Sequence, residues 1–169
     1  MFANCTLLIS IDLGTISVIK KNAFRQSYLQ SIKIPASVTT VEPYAFAESD
    51  DLTSIDLSEA KVIGDYMFYF CKDLESITIP SNVETVGVHA FDQCSRLNSI
   101  NIQNSVISDY MFYNCQVLTT ITIPASVTSI GANAFEDCKN MATINNLSGI
   151  WSDYMFKGCD IALKSVTLN

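Results

Sequence analysis

Apolar residues recur along this chain with a fixed beat. Each unit opens on the pattern L-x-x-I-x-[IL], and the openings begin at Leu8, Leu29, Leu52, Leu74, Leu97, Leu118, Met141 and Leu163, 21 to 23 residues apart. Within each opening the last two apolar residues flank a polar one, which is the period of a half-buried strand. A second anchor closes each unit, at Phe2, Phe24, Phe46, Phe68, Phe91, Phe112, Phe135 and Phe156. Three residues beyond each phenylalanine stands Cys5, Ser27, Ser49, Cys71, Cys94, Cys115, Cys138 or Cys159. Self-similarity at a fixed period decides the architecture before any local reading does.

A strand that returns every ~22 residues cannot bury its face alone, so successive units must stack, with parallel strands ~4.8 Å apart. The pattern predicts one repeat solenoid over residues 1–169, of about seven to eight turns. A parallel sheet should form one face, with short helical turns and loops on the other. Pro35, Pro80 and Pro124 follow the strand directly and, lacking an N–H, end its ladder. Gly64, Gly87 and Gly131 mark a second bend where a Cβ should be costly. The segment before each phenylalanine is expected to form a short helical turn. Two residues depart from the core pattern: Asn146 takes an Ile slot and Trp151 another, and Leu147 with Trp151 is expected to fill the space.

A longer period overlies the first. Units opening at Leu29, Leu74 and Leu118 carry Ile-Pro after the strand and end in Ala-Phe. Units opening at Leu52, Leu97 and Met141 lack the proline and end in Asp-Tyr-Met-Phe. The two kinds alternate, giving a super-repeat of 44 or 45 residues.

The stretch Ile121-Thr122-Ile123-Pro124-Ala125-Ser126-Val127-Thr128-Ser129-Ile130-Gly131, completed by Ala134-Phe135 and Cys138, resembles the BspA-like leucine-rich repeats. The resemblance covers nearly the whole chain. It implies a right-handed, curved or flat solenoid. It also implies a surface or secreted protein of a host-associated bacterium or anaerobic protist, often linked to adhesion. No catalytic residue and no cofactor come with that family. The Asp-Tyr-Met-Phe units depart from its usual pattern, so no particular ligand carries over.

Composition narrows the partners. The net charge is −7 and only ten Lys and Arg occur among 169 residues. Nucleic-acid binding needs clustered cations to displace counterions, so a nucleic-acid partner is excluded. No apolar run approaches the roughly 18 residues of a membrane span. Met1-Phe2-Ala3-Asn4-Cys5 matches Met111-Phe112-Tyr113-Asn114-Cys115, so the chain opens inside a repeat. The 163–168 strand would leave a row of unpaired backbone groups. The chain is therefore expected to be a portion of a longer protein, or else to stack end to end on another copy or on a partner.

Three sets of residues are candidates for chemistry. Cys71, Cys94, Cys115, Cys138 and Cys159 lie one turn apart, a spacing that permits disulfides, while Cys5 is three turns from Cys71. Ser27 and Ser49 share their slot, however, and a run of five cysteines cannot pair off, so buried thiols acting as small apolar groups are expected. One His and no C-x-x-C leave no zinc pattern. The exposed strand positions Ser76, Thr78, Ser99, Asn101, Thr120, Thr122, Ser165 and Thr167 form a hydroxyl- and amide-bearing face. It reads as a solvated sheet, or as a regular array meeting an ordered surface such as a polysaccharide or ice; Asp12, Lys33 and Asp56 break that regularity in the first half. Tyr44, Tyr66, His89, Tyr110 and Tyr154 share one slot, shared also by Asn133. They read either as packing over the phenylalanine layer or as a protein-binding stripe, since tyrosine is favoured at interfaces. His89 has no second unusual residue at matching positions of the next turns, so no catalytic pair is expected. The leading reading is a non-enzymatic interaction module of a cell-surface or secreted protein with a protein partner. The competing one is an intracellular scaffold of a larger assembly.

Overall fold

A computed structural model describes residues 2–5 and 7–159 in full, together with the backbone of residues 165–168. Its strands run β1 (Val18–Ile19), β2 (Ser31–Lys33), β3 (Thr40–Val41), β4 (Ser54–Asp56) and β5 (Val62–Ile63). They continue as β6 (Ser76–Ile79), β7 (Thr85–Val86), β8 (Ser99–Ile102) and β9 (Val106–Ile107). The series ends with β10 (Thr120–Ile123), β11 (Ser129–Ile130), β12 (Thr143–Asn146) and β13 (Ser165–Leu168). The even-numbered strands and β13 lie along one broad face as the parallel hydrogen-bonded groups β2–β4, β6–β8 and β10–β12–β13, with registers such as Ser76↔Ser99 and Ile77↔Ile100. The remaining odd-numbered strands line a narrow second face as the parallel pairs β1–β3, β5–β7 and β9–β11, as in Val62↔Thr85 and Ser129↔Val106. The chain is thus a parallel β-solenoid, as the period requires. The second ladder was not expected, because two residues are too few to show a period.

Among the described residues there is no helix. The segment before each phenylalanine, where a helical turn was expected, instead hydrogen-bonds to the next coil of the solenoid. Tyr44, Phe46 and Glu48 donate their N–H groups to the carbonyls of Asp65, Met67 and Tyr69 at 3.1, 2.9 and 2.7 Å. The same three-bond pattern recurs at Tyr66, Phe68 and Phe70 and at His89, Phe91 and Gln93. A helix would turn these donors back along its own axis, so stacking and helix compete for the same N–H groups. Stacking wins by placing two left-handed residues in each coil. Tyr66 (φ 51°) and Phe70 (φ 60°) are one such pair, His89 (55°) and Gln93 (60°) the next.

Phenylalanine fills the interior. Phe46, Phe68, Phe91, Phe112 and Phe135 are wholly buried and stack along the solenoid axis at centroid distances of 5.4–5.6 Å. Beside them runs the Ser/Cys slot. Cys71, Cys94, Cys115 and Cys138 are completely buried thiols. Each donates to the phenylalanine carbonyl of the preceding coil; Cys71 Sγ lies 3.3 Å from Phe46 O and Cys94 Sγ 3.3 Å from Phe68 O. Ser49 Oγ makes the same bond to Phe24 O at 3.1 Å. Serine and cysteine can share this slot because both are small and both donate. Burial pushes the Cys71 thiol up to about 12 and lifts Cys94 and Cys115 too, so these sulfurs stay protonated at neutral pH.

One element of the super-repeat, the aspartate of one unit followed by glycine in the next, has a physical cause at the second bend. Asp65 Oδ1 accepts the Val88 N–H at 3.0 Å, and Asp109 Oδ1 accepts the Ala132 N–H at 2.9 Å. Each aspartate therefore sits against the glycine just before its donor. A Cβ on Gly87 would lie 2.3 Å from Asp65 N, and one on Gly131 would lie 2.2 Å from Asp109 N. Ser108 Oγ completes the contact by donating to Gly87 O at 2.6 Å. Asp65 and Asp109 thus each require glycine in the following coil, whereas Gly64 is held to glycine by Val41 O, 2.7 Å from its Cβ position.

The two departures in the core pattern resolve differently. Asn146 is fully buried and satisfied, donating to Ile150 O at 2.7 Å and accepting from Ser148 Oγ at 2.7 Å. Trp151 does not fill the core. It is 49% exposed, its ring edge-on to Phe156 at 6.4 Å. With Asn146 shaping the local turn, the Trp151 slot lies outside the narrow ladder rather than in it.

Candidate functional site

The left-handed slot two residues before each phenylalanine fans one side chain out from every coil. Tyr44, Tyr66, His89 and Tyr110 occupy it with φ between 51 and 62°. Side chains with a Cβ adopt this conformation at a cost of roughly 1–2 kcal/mol, and Asn tolerates it best. Asn22 and Asn133 hold the slot elsewhere. The inter-coil hydrogen bonds offset the strain, and in the four aromatic coils ring stacking adds to them. Successive centroids are 4.6 Å apart from Tyr44 to Tyr66, 4.5 Å from Tyr66 to His89 and 4.6 Å from His89 to Tyr110. The interplanar angles are 4 to 15°. Four rings therefore form one continuous stack along the edge of the solenoid. Tyr69 and Tyr113, three residues further on, meet the stack edge-on at 6.0 Å from Tyr66 and Tyr110 respectively.

All four stacked side chains are half-buried. Their faces are spent on one another, so they present ring edges and polar tips. Burial raises the Tyr66 phenol above its ordinary value. Tyr154 does not join the stack. Asn133 interrupts it, buried and bonded to Glu136, and leaves Tyr154 apart and 68% exposed.

His89 has a partner that repeat-to-repeat comparison missed. Its Nδ1 lies 2.7 Å from Asp92 Oδ2, three residues along the same coil. Asp92 is almost wholly buried, and its other oxygen, Oδ1, has no hydrogen-bond partner. Burial raises the Asp92 carboxyl above the usual range, with His89 opposing the rise. The column holding Asp92 reads Arg25, Ala47, Tyr69, Asp92, Tyr113, Glu136, Lys157 and follows no period, so it carries no repeat signal. An Asp three residues beyond the only His was the available clue. Beside the stack runs a shallow groove of about 670 Å³, lined by Arg25, Tyr44, Tyr66, Tyr69, His89 and Asp92 among others.

The other candidate face is the broad sheet. Ser76, Thr78, Ser99, Asn101, Thr120 and Thr122 are all exposed on it, in the registers Ser76↔Ser99 and Thr78↔Asn101. The side chains of Ser165 and Thr167 lie outside the described residues. The face offers hydroxyls and amides without an aromatic anchor. Among the described residues no group of three His, Cys, Asp or Glu side chains is placed to hold a metal, and no helix is long and apolar enough to cross a membrane.

Stacked parallel coils, an invariant phenylalanine column and an outward-facing polar and aromatic edge define a leucine-rich-repeat solenoid. The chain belongs to the BspA-type leucine-rich-repeat family, whose model matches it in six copies over residues 1–108 and 105–169. No curated protein matches the sequence. Among solved structures, a leucine-rich cell-surface protein of Faecalibacterium prausnitzii A2-165 is 24% identical with a TM-score of 0.67, over 100% of this chain and 56% of that one. A leucine-rich-repeat protein of Eubacterium ventriosum is 26% identical (TM-score 0.61), over 92% of this chain and 46% of that one. The T. pallidum leucine-rich-repeat protein is 26% identical (TM-score 0.57), over 94% of this chain and 66% of that one. The chain therefore spans about half to two thirds of the length of the proteins it resembles.

Proposed function

We propose that this solenoid is a non-enzymatic protein-interaction module, a segment of a cell-surface or secreted adhesin-like protein that binds host or matrix macromolecules. The docking surface is the edge formed by Tyr44, Tyr66, His89 and Tyr110, with Tyr154 as an outlying contact. The observation that carries this reading is the continuous ring stack itself. Four side chains are held rigid by their neighbours, so little rotamer entropy remains to be lost on binding. Their exposed parts combine apolar ring edges with hydrogen-bonding tips, the composition that anchors protein interfaces. The broad sheet is polar and lacks such an anchor. The cell-surface relative from Faecalibacterium prausnitzii supports the location.

The test is a triple variant, Tyr44→Asn, Tyr66→Asn and Tyr110→Asn. Asparagine already holds this left-handed slot at Asn22 and Asn133, so the fold should be kept. Against a panel of immobilised host extracellular-matrix proteins, the wild-type chain should bind at least one. The variant should bind it at least about tenfold more weakly, each lost anchor removing upwards of ~1 kcal/mol. Equal binding by a folded variant would remove the edge from the interface.

A further inference from the structure

We propose that Asp92, together with the Tyr69 ring beside it, is a receptor for one alkylammonium or guanidinium group, a lysine or arginine side chain inserted by a protein partner. The inference rests on the reading of the aromatic edge as the docking surface, and it specifies what docks at its centre.

The solenoid contains its own template for this site. Glu136 stands three residues beyond Asn133, as Asp92 stands three beyond His89. Both carboxylates are almost wholly buried, Glu136 at 7% and Asp92 at 4% exposure. At Glu136 both oxygens are engaged. Oε2 accepts from Asn133 Nδ2 at 2.6 Å, and Oε1 pairs with the Lys157 ammonium of the next coil at 2.6 Å. That ammonium lies 5.9 Å from the centroid of the Tyr154 ring. At Asp92 only half of the arrangement exists. His89 Nδ1 meets Oδ2 at 2.7 Å, while Oδ1 has no hydrogen-bond partner. The residue in the next coil that corresponds to Lys157 is Tyr113, so the chain supplies no ammonium there.

An unpartnered carboxylate oxygen at this depth is costly, and a cation brought to it recovers a charge-assisted hydrogen bond. The surroundings fit a cation. Tyr69, which meets the stack edge-on rather than lying within it, stands in the same groove as Asp92. The ring quadrupole attracts a cation over its face. Arg25 shows the geometry within that groove: its guanidinium lies 5.9 Å from the Tyr44 centroid while it is paired with Glu48. Arg25 is thereby occupied and does not serve Asp92. The net charge of −7 steers cationic partners toward the chain as a whole. Neutral sugars fit poorly, because the stacked rings have no free faces for them.

The experiment titrates three capped tripeptides into the isotopically labelled 169-residue chain by NMR. They are N-acetyl-Gly-Lys-Gly-amide, its arginine analogue and its norleucine analogue. The lysine and arginine peptides should shift the His89 imidazole and Asp92 amide signals, and the norleucine peptide should not. Asp92→Asn should weaken the lysine peptide at least about tenfold, as loss of one member of a buried charge pair requires. Tyr113→Lys, which places an ammonium where Lys157 stands relative to Glu136, should weaken it as much while keeping the fold by circular dichroism. Equal shifts with the norleucine peptide, no shifts with any peptide, or undiminished binding by either folded variant would overturn the inference. The broader reading fails by a different result, retention of matrix-protein binding by the triple tyrosine variant. If that variant loses binding while Asp92→Asn keeps it, the edge stands and the cation receptor falls.

Discussion

Phe91→Ala is expected to cost about 3–5 kcal/mol of stability, the range for emptying a buried aromatic site. Phe91 is wholly buried between Phe68 and Phe112, at 5.4 and 5.6 Å. Its loss removes two ring contacts as well as apolar area, and the rigid inter-coil hydrogen bonds on either side prevent the gap from closing. The effect should depend on place in the array. Phe2 stacks on Phe24 at 5.6 Å but is 46% exposed, so Phe2→Ala should cost a fraction of that amount. A solenoid is stabilised by nearest-neighbour interfaces, so a break in the middle uncouples the two halves. Urea denaturation followed by circular dichroism should show a lower midpoint for Phe91→Ala, with a broadened or two-step transition. A single transition at the wild-type midpoint would contradict the phenylalanine column as the spine of the fold.

Gly131→Ala should be nearly as damaging, at about 3 kcal/mol, the upper part of the usual cost of overpacking. The added Cβ would lie 2.2 Å from Asp109 N and 2.5 Å from Ser108 C. Those neighbours are backbone, so no rotamer change relieves the contact and the two coils must part. Parting them strains the 2.7 Å bond from Gly131 N to Ile107 O and the 2.9 Å bond from Ala132 N to Asp109 Oδ1. Gly14→Ala is the control. No atom lies within 4 Å of its Cβ position, and only its φ of 56° opposes the change. Thermal melts should rank the variants with Gly131→Ala far below Gly14→Ala. Equal melting temperatures would show that the aspartate contact does not require glycine at residue 131.

The sequence made the architecture legible because the solenoid repeats its contacts as well as its residues. One alignment of Leu74 to Cys94 with Leu118 to Cys138 fixes the strand, the phenylalanine column and the small donor slot together. What escaped it was short or aperiodic. The narrow ladder has strands of two residues, such as Val106–Ile107, below any detectable period. The helical turn expected before each phenylalanine gave way to inter-coil bonding, a tertiary competition that local propensity does not register. Trp151 occupies an apolar slot in the alignment, yet the turn built around Asn146 leaves the indole outside. The tyrosine column was visible as a recurrence. The face-to-face stacking of Tyr44, Tyr66, His89 and Tyr110 was not, because a shared slot does not fix the orientation of the rings. Asp92 lay hidden in a column with no pattern at all.

The most direct test of the central claim is an amide hydrogen-exchange footprint of the chain with a matrix protein that the binding panel selects. The account predicts new protection at residues 43–48, 65–70, 88–93 and 109–114, which carry the aromatic edge, with exchange unchanged in β6, β8 and β10. Protection confined to those three strands, with the Tyr44–Tyr110 edge unaltered, would contradict it and assign binding to the serine and threonine face.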